Sequence, residues 1–398
     1  MTLSVVRSPS QAFLGEQTRF LVGRLCRPFG SRVLVIADPA VAQSAAFGDI
    51  VAALKDSDLV IELFTEIRPE LPVADLVAAV QVAEAFGPSA LVGVGGGSAI
   101  DLAKLVAAMT THGGALEDYY GESRLPGPSV PVIAVPTTAG TGTECSPVAV
   151  VTDPELGAKV GVSSTHLIPR VAVCDPVLTL TCPRAVTVHS GLDALSHAVE
   201  SFTARPRADG EWDPVTDVFI GKNDVTDDHA ITALGLLAGN LAQAVESPDD
   251  IAVRDRVMRG SFHAGVAFSH AGNGLAHALQ YPVGSDTGTS HGLGVALLLP
   301  YCLADARDAL SDEFVRMSVA VGIEPDPAGK AFLRWYDDLL TVLDMPRSLA
   351  EIGVEPADLP GLARRASTGT RLLRNHRRPT DEPSLVRVLE RAWEGDHG

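Results

Sequence analysis

Positive charge is scarce in this chain: 31 Lys and Arg residues stand against 49 Asp and Glu, a formal net charge of -18. That balance repels a phosphate backbone, and no basic run interleaved with aromatics offsets it, so nucleic-acid binding is excluded as a function class. Cysteine is sparse as well. Cys26, Cys145, Cys174, Cys182 and Cys302 are odd in number and scattered, with no Cys-x-x-Cys pair, which argues against a disulfide framework or a thiolate zinc site. Long apolar runs are missing: no stretch spans a bilayer uninterrupted, and residues 1–20 carry no apolar h-region behind a basic start. The expectation is a soluble protein of the reducing cytoplasm with no membrane partner.

What is present is a globular balance of 46% hydrophobic and 20% charged residues, and 398 residues suffice for two cores. Four runs read as buried strands bounded by turn residues: RVLVIA (32–37), ALVGV (90–94), PVIAV (131–135) and VAVC (171–174). Residues 74–86 carry apolar positions at helical spacing and stop at Gly87-Pro88. This alternation predicts a parallel sheet flanked by helices. After Pro183 the texture changes, and 190–202, 228–245, 255–270, 330–343 and 384–393 all read as helices. An α/β domain over 1–183 and an all-helical domain over 184–398 are therefore expected. The polar segment 204–227 reads as a surface excursion, and the Arg-rich stretch 364–378 as a solvated face, with an anionic partner as the alternative.

The strand ALVGV runs into Gly95-Gly96-Gly97-Ser98 before helical periodicity resumes. Bare backbone at a helix start suits a pyrophosphate, although such a turn also serves as a plain strand-to-helix joint and the G-x-G-x-x-G spacing is absent. The loop 136–144, with Thr137 and Thr138, crowds hydroxyls and glycines after the next strand, where ligands of open α/β sheets bind. Asp38 follows RVLVIA; its carboxylate suits ribose hydroxyls and opposes a 2′-phosphate, or else opens the turn before Pro39.

In the helical half, Asp193 and His197 stand at i and i+4 and so share one helical face. His277 interrupts an otherwise apolar helix, and His291 sits at a Ser/Gly turn opening an apolar run. Each alone fits an ordinary surface pair or a satisfied core histidine. Together, one carboxylate and three imidazoles form a donor set for a divalent first-row metal.

GGGSAIDLAK, PTTAGTGTE, the Asp193/His197 pair and the His277…His291 pair, in this order, resemble the iron-containing (group III) alcohol dehydrogenases over nearly the whole chain. The resemblance implies a Rossmann-like α/β N-terminal domain with a parallel sheet and an all-helical C-terminal domain, a dehydroquinate synthase-like architecture, with cofactor and metal meeting in the cleft. It implies metal-dependent hydride transfer between a nicotinamide cofactor and a small alcohol or aldehyde. NAD is the expected cofactor with NADP as the alternative, Fe2+ the expected metal with Zn2+ as the alternative, and a homodimer the expected assembly. Asp193, His197, His277 and His291 would be the metal ligands. Gly96, Gly97, Ser98, Asp101, Thr137, Thr138 and Lys159 would join Asp38 as cofactor contacts.

The chain departs from that pattern at Tyr281, where many relatives carry a further histidine. Tyr281 is placed with the catalytic residues as a hydroxyl relay, or it packs. Tyr281 and the 204–227 insertion also resemble the hydroxyacid-oxoacid transhydrogenase branch, which holds its nicotinamide tightly. A catalytically silent nucleotide-binding protein is the third reading. Reduction of an aldehyde bearing an acidic group follows if an Arg or Lys reaches the cleft.

Overall fold

In the computed structural model, which describes residues 4–208 and 210–398, the β-branched runs of the first half pair into one sheet. Nine strands follow in chain order: β1 (Gln11–Leu14), β2 (Arg32–Ala37), β3 (Val60–Phe64), β4 (Ala90–Gly95), β5 (Gly121–Glu122), β6 (Val132–Pro136), β7 (Val148–Asp153), β8 (Ala158–Ser163) and β9 (Val171–Cys174). Six of them form a parallel sheet in the order β1-β9-β6-β4-β2-β3. Parallel strands need crossovers, and helices supply these. Within β2, Val33 and Val35 face α1 (Val22–Cys26) and α2 (Ala45–Lys55), while Leu34 and Ile36 face α3 (Val73–Phe86) and α4 (Gly97–His112). Burial on both sides explains why the interior strands read as unbroken apolar runs rather than alternating ones. A smaller sheet, β5-β8-β7, contains the antiparallel β7–β8 hairpin.

Beyond β9 the described residues contain no further strand. Ten helices follow: α5 (Arg184–Thr203), α6 (Asp224–Glu246), α7 (Ile251–Ala271), α8 (Leu275–Thr287), α9 (His291–Asp305), α10 (Ser311–Ala320), α11 (Lys330–Val342), α12 (Leu359–Ala366), α13 (Thr370–Leu373) and α14 (Glu382–Glu394). Their starts are chemically marked. Asn223 caps α6 reciprocally with Thr226, and Asp250 accepts from the Val253 N–H at 3.1 Å at the start of α7. One large apolar core unites them, with Leu192, Leu237, Ala264, Leu279 and Leu298 all fully enclosed.

Two expectations need correction. The 204–227 segment is not simply a surface excursion: α6 already begins at Asp224, and Val218, Phe219 and Ile220 are buried. The Ile220 N–H donates to the His270 carbonyl (2.8 Å), and the Arg7 guanidinium donates to the Asp217 carbonyl (2.7 Å), so polar composition conceals an anchored segment. The Arg-rich stretch is also not merely solvated. Arg364, Arg365, Arg374, Arg377 and Arg378 pair with Glu382, Asp286, Glu122, Glu313 and Asp308. Arg371 has no such partner among the described residues.

Candidate metal centre and nucleotide cradle

Asp193 and His197 project from one face of α5, as their i, i+4 spacing requires. His277 comes from the first turn of α8 and His291 from the first residue of α9. Close packing brings these helices together. A Cβ at Gly292 would collide with the His189 carbonyl on α5 and lie 3.2 Å from Asp193 Cβ, so only glycine lets α9 approach closely enough.

Asp193, His277 and His291 bring ligand atoms within 4.8 Å of one another, and His197 joins them through Asp193. Asp193 Oδ1 lies 3.6 Å from His197 Nε2, 3.6 Å from His277 Nε2 and 3.7 Å from His291 Nε2. Ligand atoms held about 2.1 Å from a tetrahedral divalent ion would be about 3.4 Å apart, and the distances from Asp193 Oδ1 match that spacing. Two of these atoms, Asp193 Oδ1 and His277 Nε2, are buried without any hydrogen-bond partner. Buried polar atoms are rarely left unpaired, and a shared cation would satisfy both at once.

Electrostatics suit the same role. Burial favours the neutral acid at Asp193, yet the imidazoles of His197, His291 and His277 hold it well below the usual carboxylate range. Burial pushes His197 down to about 4 and His291 to about 3, leaving both rings neutral with a free lone pair. His277 behaves oppositely: burial opposes its charge, but Glu200 and Asp193 raise it to about 9. Glu200 accepts from His277 Nδ1 at 2.5 Å and from the backbone N–H groups of Gly274 (2.8 Å) and Ala276 (2.7 Å). It thereby directs Nε2 of His277 towards Asp193. The sequence does signal Glu200: Asp193, His197 and Glu200 form an i, i+4, i+7 polar stripe on an apolar helix.

The nucleotide features lie at the carboxyl ends of three neighbouring strands, β2, β4 and β6. Gly96 caps α4, which opens at Gly97 and Ser98. Gly95 is compelled: its φ is +157°, and a Cβ there would lie 2.6 Å from Ala99 Cβ. The Thr137 N–H donates to the Gly95 carbonyl (2.9 Å), and Thr138 packs 3.6 Å from the Gly96 Cβ position, so both loops form one surface. Asp38 adjoins it, 3.2 Å from the Gly95 Cβ position, while its Oδ1 accepts from the Ala40 N–H (2.9 Å) and shapes the turn.

Other candidates sit differently. Asp101 Oδ1 accepts from Thr143 Oγ1 (2.5 Å) and Oδ2 from the Val150 N–H (2.9 Å), so its carboxylate ties α4 to the loop and to β7. Lys159, on β8, is ion-paired to Glu70. The glycines of the 136–144 loop serve the junction between the halves. A Cβ at Gly142 would lie 2.5 Å from Gly265 Cα on α7, and one at Gly140 would collide with Ser190 on α5.

A cavity of about 770 Å³ opens beside the metal-type residues. His291, 30% exposed against 6% or less for the other three, faces it, as do Lys159 and Tyr281. The Tyr281 ring lies 5.9 Å from that of His291, and burial raises its pKa, so the hydroxyl stays protonated.

The chain matches two family profiles: iron-containing alcohol dehydrogenase over residues 9–176, and the C-terminal region of the Fe-containing alcohol dehydrogenase family over 187–393. It is 29% identical to a sulfoacetaldehyde reductase of Bilophila wadsworthia (92% of each chain). It is 30% identical to an NAD-dependent methanol dehydrogenase of Bacillus methanolicus (90% of this chain, 92% of the relative). Among solved structures, 1,3-propanediol oxidoreductase and an alcohol dehydrogenase from Oenococcus oeni each superpose with a TM-score of 0.90 at 26% identity, over 98% of this chain and 100% of theirs.

Proposed function

This chain belongs to the iron-containing alcohol dehydrogenase family and is an oxidoreductase of alcohols or aldehydes; from that premise we propose that it uses NAD(H) and a divalent, iron-type metal held by Asp193, His197, His277 and His291. The convergence of three Nε2 atoms on Asp193 Oδ1 carries the reading. It favours hydride transfer over a silent nucleotide-binding protein, which needs no such donor set, and the named relatives favour a dehydrogenase over a transhydrogenase.

A cation bound there supplies Lewis acidity to the substrate oxygen, in either direction of hydride transfer. The protein's own groups do the rest. Gly96, Gly97 and Ser98 offer backbone N–H groups and a helix N-terminus to the cofactor's pyrophosphate. Thr137 and Thr138 offer hydroxyls beside it, and Asp38 takes the adenosine ribose, which favours NAD over NADP. Asp101 holds this loop in place, and Lys159 reaches the nicotinamide side from β8. Glu200 fixes the His277 ring, and Tyr281 Oη holds a proton at the cavity wall, placed to exchange with the substrate hydroxyl. We take residues 1–183 and 184–398 as the two domains, meeting at this site. Five free cysteines support a reducing, cytoplasmic setting, and a homodimer is the proposed assembly.

The test is aldehyde-dependent NADH oxidation followed at the nicotinamide absorbance, before and after chelation. Turnover that a chelator abolishes and Fe2+ or Zn2+ restores is expected; turnover indifferent to chelation would overturn the proposal.

A further inference from the structure

Three cations line the 770 Å³ cavity, and two are neutralised: Lys159 pairs with Glu70, and Arg365 donates to Asp286 at 2.8 Å. The third is Arg371, on α13. It has neither a carboxylate partner nor a hydrogen bond among the described residues, and its guanidinium carbon lies 4.7 Å from the centre of the buried Phe219 ring. Tyr281 and Glu122 are the groups that would favour its charge, and Glu122 is engaged with Arg374 (3.7 Å). Every other arginine between 364 and 378 is paired, Arg365 of the same cavity included. A guanidinium stays charged at every working pH, and a half-buried one without a protein partner has its donors free for an anionic ligand.

The cofactor does not supply that anion from the phosphate cradle. None of Asp38, Gly96, Gly97, Ser98, Thr137 and Thr138 lines this cavity, whereas His291 and Tyr281 do. Building on the hydride-transfer reading, we propose that the substrate is a small aldehyde or alcohol carrying a carboxylate or sulfonate, which Arg371 binds. The planar fork of the guanidinium matches either oxyanion through two parallel N–H donors. Phe219 lies beneath the guanidinium, on a segment anchored through Ile220 and Asp217. Arg371 is thus a specificity residue of the same cavity that His291 and Tyr281 line.

The test compares kcat/KM of the metal-loaded enzyme with NADH for succinic semialdehyde, sulfoacetaldehyde and butanal. The wild type should prefer at least one anionic aldehyde over butanal by about 10- to 100-fold. R371Q should erase most of that ratio, chiefly through KM for the anionic substrate, and R371K should recover part of it. Butanal turnover without an anionic preference in the wild type overturns the proposal while leaving hydride transfer intact, and requires no variant to fold. So does an equal loss on all three aldehydes in R371Q, or a rise in KM for NADH instead. Turnover of none of the three would overturn the parent reading, and this one with it.

Discussion

Glu200 Oε2 and His277 Nδ1 lie 2.5 Å apart, both almost fully buried, with the carboxylate further held by two backbone N–H groups. A carboxylate so placed orients an imidazole and increases its basicity without touching the metal. Removing its charge should therefore be read in metal retention. E200Q is expected to weaken metal affinity by about 10- to 100-fold while preserving the fold. Metal content after dialysis against graded chelator measures it, and excess Fe2+ should rescue most of the lost kcat. Unchanged metal retention would refute the orienting role.

Gly95 and Gly96 adjoin in sequence but face different constraints. A Cβ at Gly95 meets Ala99 at 2.6 Å on a backbone with φ +157°, whereas one at Gly96 meets only Thr138 at 3.6 Å. G95A should destabilise the protein by about 1–3 kcal/mol. G96A should leave the thermal midpoint nearly unchanged yet weaken NADH binding, because the added methyl stands between backbone and pyrophosphate. Thermal unfolding and NADH fluorescence titration separate the two; equal loss of stability in both variants would contradict this account.

The proposed function gives Asp38 the adenosine ribose. Replacing it with Gly removes a like charge from the position of a 2′-phosphate, and kcat/KM with NADPH should rise relative to NADH by roughly tenfold or more. An unchanged ratio would leave Asp38 with only its Ala40 turn.

His270 makes two hydrogen bonds of opposite sense: Nδ1–H donates to the Val266 carbonyl (2.8 Å), and Nε2 accepts from the Arg7 N–H (2.5 Å). That arrangement demands a neutral ring, and burial lowers its pKa from 6.5 to about 4. Between those values the unfolded chain binds a proton that the native state refuses, so stability rises with pH through this window. The contribution is complete above pH 6.5 and is lost as pH falls towards 4, amounting to about 3 kcal/mol. Chemical denaturation of wild type and H270Q from pH 4 to 7 should show a steeper acid slope for the wild type. Parallel curves would exclude His270 as a contributor.

The four strands legible from sequence, β2, β4, β6 and β9, are the interior strands of the six-stranded sheet. Burial on both faces writes a continuous apolar run. The edge strands β1 and β3 are half exposed, carry no such run and escaped notice, as did the β7–β8 hairpin, whose alternation is broken by Gly161 and Thr152. At the site, His and Asp were conspicuous because an apolar helix makes a titratable residue stand out. Glu200 belonged to the same stripe. Arg371 could not be singled out, since six arginines between 364 and 378 look alike until their acidic partners, distant in sequence, are brought alongside. Gly140 and Gly142 illustrate the reverse case: glycines that read as part of a nucleotide loop owe their identity to the helices packed behind it.

The contact between Gly142 and Gly265 leaves no room for a methyl group on either backbone. Because each methyl would meet the other residue's backbone, no side-chain change on the facing helix or loop can make room, and both positions are held to glycine together. A chimaera splicing the sheet half of one homologue to the helical half of another would succeed only where both parents inherited the same bare pair.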